Sequence, residues 1–221
     1  NSVKTTQAGL TLSGWGNPNG RKTDGSIGFE PFVTTVAITD EQNETILMIT
    51  IDLQNTPDSY YKYIFKHISE ATGVPEDHIY MSATHTHNCP NINTSTPGNS
   101  RYSYWFTERV VQSALNAMAD RSPAKMEAGT QIIEGMNFVR HYLMNDGTYA
   151  GSNFGDTSSG YKEHTYDVNH EMILVNFPRE GKEDVLLVNW AAHPANPYDE
   201  AIGNLNLPAA HPGWARDELE K

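Results

Sequence analysis

Residues 79–84, IYMSAT, run straight into His85-Thr86-His87. The stretch has the apolar, β-rich character of a buried strand, and the partner of that strand decides the fold. Upstream lie FVTTVAIT (32–39) and TILMITIDL (45–53), separated by the polar DEQNE (40–44). A connection of that length and polarity predicts two antiparallel strands joined as a hairpin. Between 57 and 72 the apolar positions Tyr61, Ile64, Phe65, Ile68 and Ala71 recur at three- and four-residue steps, and Gly73 and Pro75 follow. That periodicity with those terminators predicts an amphipathic helix. A strand, a helix and a second strand form a unit whose two strands lie parallel in one sheet. The two histidines therefore sit just past the carboxyl end of a sheet strand, where α/β folds gather ligands.

Working outward, the polar loop 88–101 leads to a second helix over about 102–118, with Phe106, Val110, Ala114 and Met118 at helical spacing. Strand-like runs follow at KMEAGTQIIEG (125–135) and MNFVRHYL (136–143). A Gly/Ser/Asn/Asp-rich loop (145–160) precedes NHEMILVNFP (169–178) and DVLLVNWAA (184–192), which read as a hairpin across REGKE. PGWARDELEK (212–221) opens as an amphipathic helix, and the first thirty residues, rich in turn formers, read as a long surface loop. The expected fold class is α/β, a mixed β-sheet flanked by helices in a single domain.

The 221 residues include 15 Lys and Arg against 27 Asp and Glu, a formal charge of -12. A nucleic-acid backbone is excluded as a partner on that balance. Cys89 is the only cysteine, so no intrachain disulfide forms. The longest strongly apolar run, ILMITI, is far too short to cross a bilayer. The chain starts at Asn1 rather than methionine, which points to processing upstream, a secretory signal among the options.

On an extended backbone His85 and His87 project to the same side, about 7 Å apart at Cα, within reach of one metal ion. His-x-His at a strand end is a moderately specific zinc signal. Two satisfied surface or core histidines explain the same motif equally well. His193 follows another β-rich run and precedes Pro194, so a second strand-end histidine can converge on the first pair. Arg140, in NFVRHY, falls in a strand-like run and can aim a guanidinium at a substrate oxygen, or be a plain surface arginine. Asp52, at the end of TILMITIDL, is the candidate carboxylate behind a metal-bound histidine, or a cap for the helix that follows. The other six histidines, His67, His78, His141, His164, His170 and His211, read as structural or solvated.

Taken in order, SATHTHNCP (82–90), NFVRHYLMNDGT (137–148) and VNWAAHPAN (188–196) resemble the amino-terminal zinc domain of the neutral/alkaline, non-lysosomal ceramidases and their bacterial relatives. GLTLSGWG (9–16) and AHPGWARDELEK (210–221) are similar to that family too. The resemblance implies a zinc-dependent hydrolase that cleaves N-acylsphingosine to fatty acid and sphingosine by attack of a zinc-bound water. It implies Zn2+ as cofactor, His85 and His193 as metal ligands, His87 as a donor to the substrate or oxyanion, and Arg140 as a substrate-holding residue. It implies a lipid or amide substrate and a secreted or extracytoplasmic location. It also implies that residues 1–221 are a fragment of a longer chain, since the family takes a glutamate and a tyrosine ligand from further on. The chain departs from the family at Asn88-Cys89-Pro90, where Ser-Gly-Pro is usual, and at EPFVTTVAIT, where the family has a basic strand opening. Two other readings stay open: a metal-dependent hydrolase of another small amide or ester, and a non-catalytic binding module on the same scaffold.

Overall fold

The computed structural model describes residues 2–3, 9–13, 22–23, 31–87, 89–92, 97–152, 154–194 and 210–221. β1 (Val33–Thr39) and β2 (Thr45–Ile51) pair antiparallel in unbroken register from Val33 opposite Ile51 to Thr39 opposite Thr45. Their turn is closed by Asp40, whose carboxylate accepts from the N–H groups of Gln42 and Glu44, while Asn43 takes a positive φ of 65°. Asn is one of the few side chains that tolerates that conformation. After α1 (Asp58–Thr72) and a short 3-10 turn at Glu76–His78, β3 (Ile79–Ala83) returns parallel to β2, Leu47 opposite Ile79 and Ile51 opposite Ala83. The sheet order β1-β2-β3 is thus mixed, as the hairpin and the strand-helix-strand unit require, and the α/β class holds.

One face of this sheet carries the core. Leu47, Ile49 and Ile51 alternate inward along β2 while Met48 and Thr50 point out. α1 packs Tyr60, Ile64 and Ile68 into that core, and α2 (Pro97–Ala119) adds Tyr102, Phe106, Val110 and Ala114, one residue per turn. The buried stripe of α1 is turned from the one read in the sequence, with Tyr60 inside and Ala71 exposed. A tyrosine can take that place because its hydroxyl meets Thr107 Oγ1 at 3.2 Å. Ser103 and Thr107 are buried in α2 because each hydroxyl donates to the carbonyl four residues earlier, Asn99 O and Ser103 O. α1 ends where Gly73, left-handed at φ 77°, donates its N–H to Ser69 O.

The amino-terminal stretch differs from the expected surface loop wherever it is described. Val3, Leu10 and Leu12 are fully buried, and single bridges tie Ser2 to Phe32 and Leu12 to Pro90. Scattered apolar residues between turn formers give no period, so the sequence pattern hides their burial.

By contacts the chain falls into two compact units, Asn1–Arg121 with Pro194–Lys221, and Ser122–His193. The second is antiparallel. β4 (Glu127–Ile132) pairs with β8 (Glu171–Phe177), and β8 with β9 (Val185–Trp190), the latter two forming the expected hairpin. β5 (His141–Met144) lies between β6 (Tyr149–Gly151) and β7 (Tyr161–His164). Two of these strands fall in or beside the segment read as loop 145–160. The β5–β6 turn is Asn145-Asp146-Gly147, with Gly147 at φ 83°, a hairpin signal whose flanking strands are too short to show a period. The strands before His85 and His193 thus belong to different sheets, not to one central sheet, because β9 satisfies its ladder through the short hairpin with β8. α3 (Ala210–Leu219) is the helix foreseen at the carboxyl end. No helix among the described residues is long and apolar enough to cross a membrane.

Ile64 is fully buried between the sheet and α2. Ile64→Ala removes packed methylenes and leaves a cavity, and is expected to cost about 2–5 kcal/mol in urea unfolding. A loss below about 0.5 kcal/mol would contradict this core assignment.

Candidate metal centre

The ladder between β2 and β3 runs one bond beyond the strands, Thr84 N–H donating to Ile51 O at 2.9 Å. The chain then leaves the sheet abruptly, because His85 has a φ of 64°. Left-handed backbone is uncommon outside glycine, although histidine visits it more than most residues, and it persists where surrounding contacts hold it. The extended geometry expected for His85 and His87 is therefore not what brings them together. The turn does so: the two rings lie 4.9 Å apart between centroids and 82° from coplanar.

His85 Nδ1 is 2.8 Å from the carbonyl oxygen of Gln54. A carbonyl only accepts, so Nδ1 carries the proton and Nε2 is left with its lone pair. That is the tautomer of a histidine prepared to bind a metal through Nε2. The support comes from a main-chain carbonyl, and the expected carboxylate does not supply it. Asp52, 1% exposed, spends its oxygens elsewhere: Oδ2 accepts from Phe32 N–H (2.8 Å) and Arg216 (2.9 Å), and Oδ1 from Thr84 Oγ1 (3.0 Å). Nor does Asp52 cap α1, whose N-cap is Pro57 without a side-chain bond. Asp52 holds the residue next to His85, not His85 itself.

His193 closes the second unit, just before the chain passes into Pro194. Its approach is held by Asn137, 8% exposed, whose Nδ2 donates to Asn169 O and Ala191 O while Oδ1 accepts from His170 Nδ1. In the first unit His85 and His87 thus stand side by side, and His193 ends the second unit. Imidazole nitrogens suit a borderline-soft divalent ion such as zinc, and are the wrong donors for calcium or magnesium.

Arg140 belongs to the second unit. It is exposed in a bend one residue before β5, outside any strand, because His141 N–H turns back to Val139 O at 2.9 Å. Its guanidinium has no ion-pair partner among the described residues. Five of the other six histidines are accounted for by polar contacts: His67 Nδ1 with Tyr63 O, His78 Nδ1 with Thr45 O and the Glu44 carboxylate, His164 Nδ1 with Val139 O, His170 with Asn137, and His141 with Thr165. Burial lowers the pKa of His211. Gln54, Thr84, Asn137 and Arg216 escape a reading of the sequence. A main-chain acceptor leaves no residue signature, and the other three are commonplace polar types outside any motif.

No protein-family model matches the chain, and no curated protein matches it in sequence. Two solved structures share its fold. A ceramidase complexed with C2 superposes with a TM-score of 0.73 at 13% identity, over 97% of this chain and 33% of its own. The neutral ceramidase from Pseudomonas aeruginosa gives 0.72 at 15% identity, over 97% of this chain and 34% of its own. The fold is ceramidase-like. The chain spans about a third of the length of those proteins.

Cys89, two residues after His87, is fully buried, and burial, with the negative charge of Asp52 adding to it, pushes its thiol pKa well up despite a hydrogen bond from Thr86. A thiol held protonated is neither nucleophile nor ligand. Cys89 should resist Ellman's reagent in the native protein and react stoichiometrically in guanidinium. Rapid labelling of the folded chain would contradict this placement.

Proposed function

We propose that the chain is the metal-binding part of a zinc-dependent amide hydrolase of the ceramidase type. The observation that carries this reading is the pair of imidazoles of His85 and His87, with ring centroids 4.9 Å apart, in a chain of ceramidase-like fold. When bound, zinc would supply a nucleophilic water near neutral pH and polarise the scissile carbonyl.

In this reading His85, held in its Nε2-binding tautomer by Gln54, and His193 are the metal ligands. His87, whose ring stands at 82° to that of His85, donates a hydrogen bond to the oxyanion that develops on the carbonyl oxygen, where preorganised donors act most strongly. Arg140, a guanidinium not committed to an ion pair, holds a substrate oxygen. The substrate is an N-acylated lipid amide, and the protein acts outside the cytoplasm. Residues outside these 221 complete the ligand set, since the chain corresponds to a third of the ceramidases it superposes on. The tautomer of His85 held by Gln54 favours this reading over a binding module, which has no need of an ordered imidazole.

The test separates ligands from donor. Metal content after zinc loading, measured by atomic emission, is expected to fall to background in His85→Ala and His193→Ala. His87→Ala should retain zinc and lose about 100-fold or more in turnover of a short-chain fluorescent ceramide by the longer protein. Stoichiometric tight zinc in His85→Ala would end the ligand assignment, and loss of metal in His87→Ala would make His87 a third ligand.

A further inference from the structure

We infer that Arg216 is a positioning residue for the metal centre, fixing through Asp52 and Thr84 the segment that presents His85. The inference rests on the metal-binding reading of His85 and goes beyond it to a residue 131 positions away on α3, as 216 − 85 gives.

The chain of contacts is short and buried. The Arg216 side chain is 20% exposed and Asp52 1% exposed, and one guanidinium nitrogen lies 2.9 Å from Oδ2. The guanidinium carbon also sits 4.8 Å above the centre of the Phe32 ring, whose own main-chain N–H donates to the same Oδ2. Oδ2 is thus occupied twice, which fixes the carboxylate plane and turns Oδ1 to Thr84 Oγ1. Thr84 is held at its N–H by Ile51 O and at its hydroxyl by Asp52. The next residue is the left-handed His85, and its ring reaches back to Gln54, two residues after Asp52. Segments 51–54 and 84–85 are therefore laced by three hydrogen bonds, and only the middle one depends on a charge. Without Arg216 the Asp52 carboxylate is a buried charge lacking its counter-ion, and it must reorient, take up water or a proton. Each of these loosens Oδ1 from Thr84, and a backbone conformation that needs to be held is released one residue later.

A residue that merely docked α3 would change stability alone. A positioning residue changes the metal as well, and only while Thr84 can transmit the change. Zinc affinity by competition with a chelating dye, the visible bands of the Co2+ form and the melting temperature are to be measured for the wild type, Arg216→Ala, Arg216→Lys, Thr84→Val, Arg216→Ala with Thr84→Val, and His85→Ala. Arg216→Ala is expected to weaken zinc about 10-fold and to shift the Co2+ bands, with Arg216→Lys recovering part of both. In the Thr84→Val background, Arg216→Ala should lower the melting temperature again and leave zinc affinity where Thr84→Val put it. Equal losses of affinity in the two backgrounds, or a change in melting temperature alone, would overturn the inference. If Arg216→Ala does not fold, Arg216→Lys provides the same comparison in both backgrounds. Wild-type affinity in His85→Ala would instead bring down the metal-binding reading, and the Arg216 inference with it.

Discussion

The parallel pairing of β2 with β3 is the constraint on which the candidate centre rests. It brings two strand ends, Ile51 and Ala83, to the same edge of one sheet. Everything that shapes His85 is then local to that edge: Asp52 and Gln54 leave one strand, Thr84 and His85 the other, and cross-bonds join them. An antiparallel pairing would have put the ends of these two strands at opposite sides of the sheet, leaving Gln54 and His85 out of reach of each other. The helix that makes parallel pairing possible, α1, also sends Tyr60, Ile64 and Ile68 into the core beneath it, so the same packing that stabilises the unit aligns the two ends.

The buried carboxylate of Asp52 shows how a polar group is made acceptable in such a place. Three donors from three parts of the chain, Phe32, Thr84 and Arg216, saturate its two oxygens. Breaking such a group apart is far more disruptive than never having had it, because a lone buried charge has no route to solvation. The loss of any one donor is therefore felt at the bonds to the other two, because the carboxylate shifts to recover what it has lost.

Much of the first sheet was legible because its signals are long-range periodicities. TILMITIDL alternates, residues 57–72 repeat at helical spacing, and a strand-helix-strand unit has one sensible topology. The β-rich runs before His85 and His193 were legible too, and they form β3 and β9. The turn that brings the rings of His85 and His87 together was not, because a positive φ at a histidine leaves no mark in the sequence, and the alternation argument assumes an extended chain that ends at Ala83. The support of His85 was misassigned for a related reason. A carboxylate near a histidine can be seen in sequence, whereas the Gln54 carbonyl that does the work is a group every residue possesses. In the second unit, β6 has three residues and β7 four, too few to establish a period, so a hairpin marked by Asn145-Asp146-Gly147 passed for loop.

Among the described residues, each of the three sheets has a single interior strand, β2, β8 or β5, flanked by two edges. Edges expose unpaired main-chain groups and invite lateral addition of another chain. β9 is the most inviting, an uncharged VLLVNW with Leu186 39% and Val188 46% exposed. The excess of acidic residues acquires a role from this: a formal charge of -12 keeps copies of the chain apart in dilute salt. Concentrated salt removes that protection by screening, and handling conditions for the chain follow from its strand edges as much as from its stability.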